Sequence, residues 1–336
     1  VDQKELALAL YFFPLILMLP LITVGSFEMR SDRYVYLPSI GIFLLLMLAA
    51  EKIKMEPLRF VFLGLLSLFF AFQGMQQTKV WKDGTALFKN CVEKTPDVAL
   101  CQCNLGYSEL LAKRFETSVE HYSKSLQLDP SYVESYNGRG QAYLNLNPPK
   151  VSEALSDFTK AIEAGIVTPK LFFNRGKCLA MSSKFSEAIP DLTKSIELEP
   201  KSPETWYFRA FSHEKTAAID KAFQDYSKAI ELNPNYVEAL VNRALIFYNQ
   251  QKYPESIDDN SKAIKVASGN VLPMILVNRA NAYLKSGNLD KALEDVNQAL
   301  AYNNNYPRAY QTRAAIYTQM GQVDKAQADL KRINNG

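Results

Sequence analysis

Six arginines recur along the chain from residue 139 to residue 313, each with an acid at a nearly fixed distance. Arg175, Arg209, Arg243, Arg279 and Arg313 are followed 16 residues later by Asp191, Asp225, Asp259, Asp295 and Asp329, and Arg139 is followed at 18 by Asp157. Guanidinium and carboxylate groups in this pattern can form a ladder of ion pairs, or present a row of cations to an anionic ligand. If the chain turns back midway between the two residues, they come to the same height on facing helices. The ladder is therefore the expected reading, and it leaves the anion-binding row with every charge already partnered.

Other chemistry is sparse. The chain has no Gly-rich phosphate loop and no paired-Cys motif, and its two histidines, His121 and His213, are far apart. No catalytic residue, metal site or cofactor is expected. The net charge of +3 comes without a basic block, which argues against a nucleic-acid partner. Of the four cysteines, Cys101 and Cys103 point different ways on one expected helix. Either could bridge to Cys91 in an oxidising compartment, but packed free thiols are the expected state.

The elements that position the arginines form a repeat. From about residue 97 the pattern returns every 34 residues: Tyr136-Asn-Gly-Arg-Gly140, Phe172-Phe-Asn-Arg-Gly176, Trp206-Tyr-Phe-Arg-Ala210, Leu240-Val-Asn-Arg-Ala244, Leu276-Val-Asn-Arg-Ala280 and Tyr310-Gln-Thr-Arg-Ala314. A second small residue follows twelve positions on, at Ala188, Ala222, Ser256, Ala292 and Ala326, and Pro130, Pro200 and Pro234 close units. Small residues at two fixed positions let two helices approach closely, and proline ends the second helix. Seven units are expected after a half-unit at about 83–96, with an insertion at Asn147-Pro-Pro149 in the second.

This pattern resembles the tetratricopeptide-repeat (TPR) family. The resemblance implies an all-α solenoid, a right-handed superhelix of helix hairpins in which each unit buries its apolar face only by stacking on its neighbours. Arginine stands where the family most often has leucine. The resemblance also implies that first helices line a concave face. The matching positions are Asn137, Gln141, Phe173, Lys177, Tyr207, Phe211, Tyr248, Asn281 and Lys285, a mix of amides and aromatics suited to a protein or extended peptide partner. The Lys/Asn pattern of the chaperone-tail clamp is not reproduced.

The first 76 residues are different in character. Apolar segments at about 6–24, 34–50 and 58–74 carry almost no charge. At 1.5 Å per residue each spans roughly 25–29 Å, close to a bilayer core. The expected organisation is a transmembrane helix bundle over 1–76, a connector and half-repeat over 77–98, and the solenoid over 99–336. Lys52, Lys54 and Arg59 in one loop against Arg30 and Arg33 in the other place the solenoid on the extracytoplasmic side of the bilayer. The sequence lacks any Asn-x-Ser/Thr, which fits a bacterial inner-membrane protein.

The stretch Met29-Arg-Ser-Asp-Arg-Tyr-Val-Tyr-Leu-Pro-Ser-Ile-Gly41 resembles one in the transmembrane-and-TPR family of O-mannosyltransferase-like (GT-C) membrane proteins. The resemblance implies that Arg30, Arg33 and Tyr36 contact a lipid phosphate, or else anchor at the interface, and that catalytic acids would lie upstream of Val1. Three functions follow as expectations: a membrane-tethered TPR scaffold, the C-terminal part of a glycosyltransferase using a lipid-linked sugar, and a subunit of an envelope export or assembly complex.

Overall fold

The computed structural model describes residues 83–334 throughout and, before them, Lys52, residues 54–58, 60–62, 64, 65, 68, 69 and 72. The chain divides into two compact units, residues 1–90 and 91–336. The expected spans at 6–24 and 34–50, with Arg30, Arg33 and Tyr36, lie outside the described residues, and the span at 58–74 is described only in part. Among the described residues no helix is long and apolar enough to cross a membrane.

The described elements from residue 84 on are helical. Helix α1 (Gly84–Lys94) precedes seven hairpins: α2 (Ala99–Leu111) with α3 (Phe115–Leu128), α4 (Val133–Asn145) with α5 (Val151–Glu163), α6 (Pro169–Met181) with α7 (Phe185–Leu198), α8 (Pro203–Lys215) with α9 (Ile219–Leu232), α10 (Val237–Asn249) with α11 (Tyr253–Val266), α12 (Leu272–Lys285) with α13 (Leu289–Tyr302), and α14 (Pro307–Gln319) with α15 (Val323–Asn334). Local sequence fixes several starts. Pro169 and Pro203 sit in first turns, where a missing N–H costs nothing, and Thr168 and Ser202 accept from the amides of Leu171 and Thr205.

Each second helix buries one stripe. In α9 it is Ala222, Tyr226 and Ala229, fully buried at spacings of four and three. The middle position of this stripe is Tyr122, Phe158, Leu192, Tyr226, Asn260 and Val296 in successive hairpins, all buried. Side-chain volume there is matched by glycine opposite. A Cβ on Gly140 would come within 2.7 Å of Phe158, one on Gly176 within 2.8 Å of Leu192, and one on Gly138 would overlap the Tyr122 ring. Small residues thus set how closely the helices approach, and each core is completed by the next hairpin.

Six of the seven turns within hairpins contain a left-handed residue. Lys113, Ser183, Ala217 and Gln251 adopt φ near 60°, and Gly287 and Gly321 adopt 82° and 74°. A second insertion lies after α11. Ala244 and Ala280 are 36 residues apart, and residues 267–271, including the 3-10 turn Gly269–Val271, stand where Pro200 and Pro234 close the preceding units. The Asn147–Pro148 peptide bond is cis.

The expectation of free thiols is corrected for one pair. Cys91 and Cys101 form a disulfide across the α1–α2 corner, with Cα atoms 5.7 Å apart, well within bridging range. The corner brings the last turn of α1 against the first turn of α2, which spacing alone did not indicate. Cys103 and Cys178 are free and buried, and burial pushes the Cys178 thiol up to about 12.

Candidate functional site

The arginines lie on first helices and the aspartates on second helices. Arg139 Nε and Nη2 donate to Asp157 Oδ2 and Oδ1 at 2.7 and 2.8 Å. The same two-pronged contact joins Arg175 to Asp191, Arg209 to Asp225, Arg243 to Asp259, Arg279 to Asp295 and Arg313 to Asp329, with all distances 2.6–2.8 Å. The aspartate side chains are 2–8% exposed and the arginines 16–22%. The aspartates hold the guanidinium groups of Arg139, Arg175, Arg279 and Arg313 above the usual arginine pKa.

A third contact reaches the preceding hairpin. Nη1 of Arg139, Arg209, Arg243, Arg279 and Arg313 donates to Ser123, Thr193, Ser227, Ser261 and Asn297 at 2.8–3.2 Å. At Arg175 the corresponding Thr159 hydroxyl donates instead to the Leu155 carbonyl. The recurring Asp-x-Ser/Thr/Asn spacing carried this signal, and sequence reasoning passed over it. Five of these arginines have three of their five N–H groups taken by the chain and Arg175 has two, and each guanidinium charge is already paired with a buried aspartate.

The expected groove residues fall into groups. Gln141 donates to Asn137 Oδ1 at 3.2 Å on α4. The Phe173 ring packs edge-on against Phe208 of the next hairpin, and the Lys177 ammonium sits 5.6 Å from the Phe208 centroid. Tyr207 is the hub of the aromatic cluster. It stacks on Phe211 and meets Tyr226 and Tyr236, the last at 5.1 Å between centroids. Phe211 also touches Phe185. Tyr248 pairs with Tyr253 of its own hairpin, Asn281 accepts from Thr312, and Lys285 is exposed. The structure thus joins Phe173, Lys177, Tyr207 and Phe211 into one aromatic surface across α6 and α8. It leaves Tyr248 and Asn281 in separate contacts and Lys285 exposed apart from them.

A polar chain runs beside this surface. Asn242 donates to the Tyr226 hydroxyl at 3.0 Å, which donates to Glu214 at 2.9 Å. Next to it opens a pocket of about 350 Å³ lined by Tyr207 of α8, Asn235 and Tyr236 just before α10, Val237, Glu238, Val241 and Asn242 of α10, Val266 at the end of α11, Ala267, Ser268 and Val271 of the inserted loop, and Met274 of α12. Sequence reasoning missed it. The signal was the 36-residue step between Ala244 and Ala280. Among the described residues no group of histidine, cysteine or acidic side chains is placed to hold a metal ion.

Comparison with known proteins places these hairpins. A family profile described as TPR repeat matches residues 106–147 and 218–251, and one described as Tetratricopeptide repeat matches 283–335. Stress-induced-phosphoprotein 1 of Caenorhabditis elegans is 33% identical over 69 residues, covering 20% of this chain and 21% of that protein. The Hsp70-Hsp90 organizing protein of Triticum aestivum is 33% identical over 67 residues, covering 20% of this chain and 11% of that one. The chain therefore spans about a fifth or less of the length of these curated relatives. Among solved structures, Pseudomonas aeruginosa pilF superposes with a TM-score of 0.55 at 16% identity, over 64% of this chain and 96% of that one. A tetratricopeptide repeat protein from Parabacteroides merdae gives 0.51 at 18% identity, over 74% and 92%. At these identities the likeness is one of fold alone.

Proposed function

Because the chain carries tetratricopeptide repeats, we propose that it is a membrane-anchored interaction module that holds a protein or extended peptide on the face built by its first helices. The observation that carries this reading is the aromatic surface of Phe173, Lys177, Tyr207 and Phe211, half-buried rather than sealed. Rings held by neighbouring rings are pre-organised, so a partner is anchored without ordering them first. Asn137, Gln141, Tyr248, Asn281 and Lys285 extend the same face with amides and a cation. The relative named as an organizing protein is in keeping with a scaffold role.

The anchor belongs to the same proposal. Among the described residues, eight large apolar side chains from Met55 to Phe72 are more than half exposed. Water penalises apolar area by about 25 cal/mol per Å², whereas acyl chains do not. The lysine and arginine balance of the loops favours an extracytoplasmic array, in keeping with a bacterial inner membrane. A second reading, the C-terminal part of a GT-C glycosyltransferase whose repeats present the acceptor protein, is favoured by the stretch from Met29 to Gly41.

The test uses the full chain purified in detergent, cross-linked to extracytoplasmic proteins and compared with a Tyr207→Ala/Phe211→Ala variant checked for folding by circular dichroism. Retention lost in the variant supports the groove. Equal retention by both proteins sinks it.

A further inference from the structure

We propose that the pocket beside Tyr207 is a receptor for one long basic side chain, lysine or arginine, of an extended peptide partner. This deepens the interaction reading above and rests on it. The pocket exists because of the inserted loop after α11, so it is a property of this array and not of each repeat.

Its walls sort by chemistry. Val241, Val271 and Met274 supply apolar surface for an aliphatic stem. The Tyr207 and Tyr236 rings, 5.1 Å apart and inclined at 54°, form one side. At the rim Glu238 is exposed and, among the described residues, makes no ion pair. Burial raises the pKa of both tyrosine hydroxyls, and the Glu238 charge adds to this at each, joined by Glu214 at Tyr207 and by Glu204 at Tyr236. An anionic occupant would meet the Glu238 carboxylate, and a purely apolar one would strip water from it with no return. A side chain with an apolar stem and a cationic tip satisfies both parts.

The rings add an independent argument. Several aromatic rings of the array lie beside a cation of the chain itself: Lys160 is 5.2 Å from the Tyr136 centroid, Lys291 is 5.7 Å from Tyr283, and Lys325 is 5.4 Å from Tyr317. No lysine or arginine among the described residues takes that place at Tyr207 or Tyr236. These rings, next to the Glu238 carboxylate, can therefore take a partner's cation.

The experiment is a positional-scanning nonapeptide library presented to the detergent-purified full chain. The strongest peptide is then titrated against wild type, Glu238→Gln and Ser268→Trp. Ser268 is an exposed loop residue whose replacement by tryptophan would fill the pocket, and melting curves would verify that both variants fold. The expected result is selection of lysine or arginine at one position. Glu238→Gln should weaken binding about three- to tenfold, Ser268→Trp more than tenfold, and added salt should weaken binding to wild type more than to Glu238→Gln. Selection of an apolar or acidic residue, or a lysine/arginine preference unchanged in both variants, overturns the pocket assignment and leaves the interaction reading standing. Failure of wild type to retain any peptide overturns both.

Discussion

Arg243 grips Asp259 through two parallel bonds of 2.7 and 2.8 Å and, with its remaining nitrogen, reaches Ser227 of the preceding hairpin at 3.1 Å. Asp259 is only 2% exposed, so its charge relies on this partner. Arg243→Met should therefore cost about 3–5 kcal/mol, because it strands a buried carboxylate. Arg243→Met with Asp259→Leu should cost much less than the sum of the single changes. Urea unfolding of the four proteins in this cycle measures the coupling. Additive effects would mean that the pair does not fix the register of the hairpin. Ser227→Ala should cost about 1 kcal/mol by loosening one hairpin from the next.

Gly138 faces the ring of Tyr122, which is fully buried in the preceding hairpin. A methyl group there has nowhere to go, since the ring cannot swing into solvent. Gly138→Ala should destabilise the array by about 1–3 kcal/mol, despite the better helix propensity of alanine. The companion change Tyr122→Leu should recover part of the loss. Thermal melts of the single and double variants decide, and a stabilised Gly138→Ala would refute the packing account.

The hairpin array was legible because its marker residues recur, from Tyr136 to Ala314, at positions where size matters more than chemistry. The facing of Arg175 and Asp191 could be argued from symmetry about a turn. The hydroxyl that links each rung to the previous hairpin could not, because serine and threonine recur for many reasons. Turns were also obscure: Lys113, Ser183, Ala217 and Gln251 take the left-handed conformation that only Gly287 and Gly321 advertise. Nothing local marked Glu238 and Met274 as neighbours, since a two-residue insertion brings them to one pocket. Tyr248 and Asn281 matched groove positions, yet position in a repeat does not determine which neighbours a side chain finds.

Asn260 occupies the core position held by Leu192 and Tyr226 in the two preceding hairpins. Its amide donates to the Ser256 carbonyl, but its own oxygen and the Ser256 hydroxyl find no hydrogen-bond partner among the described residues, although both residues are 1% exposed. Ser118, at the place of Ser256 in the first hairpin, instead donates to the Gly106 carbonyl at 2.7 Å. The α10–α11 hairpin therefore carries an uncompensated polar cost. Asn260→Leu should stabilise the array by about 1–2 kcal/mol. A raised melting temperature checks this, and faster amide exchange in α10 and α11 than in α8 and α9 of the wild type would give the same result without mutation.

His213 stands where Phe247 and Tyr283 occur in the next hairpins, with its ring nitrogen 3.9 Å from Asp225. Burial lowers its pKa below the ordinary imidazole value; Asp225 pulls it upward, and Arg209 and Lys221 push it further down. Burial also lowers His121, against Glu109 and Glu120. The folded state thus prefers both rings neutral, while the unfolded chain takes up protons near the ordinary value of about 6.5. Below that value the unfolded state binds more protons than the folded one, so stability falls with falling pH. The contribution is fully present above about pH 7 and is lost as pH drops through 6 toward the folded pKa values. His213→Phe should flatten part of this slope and leave the remainder to His121. Urea midpoints measured at pH 7.5, 6.5 and 5.5 test it, and equal slopes in wild type and His213→Phe would remove His213 from the account.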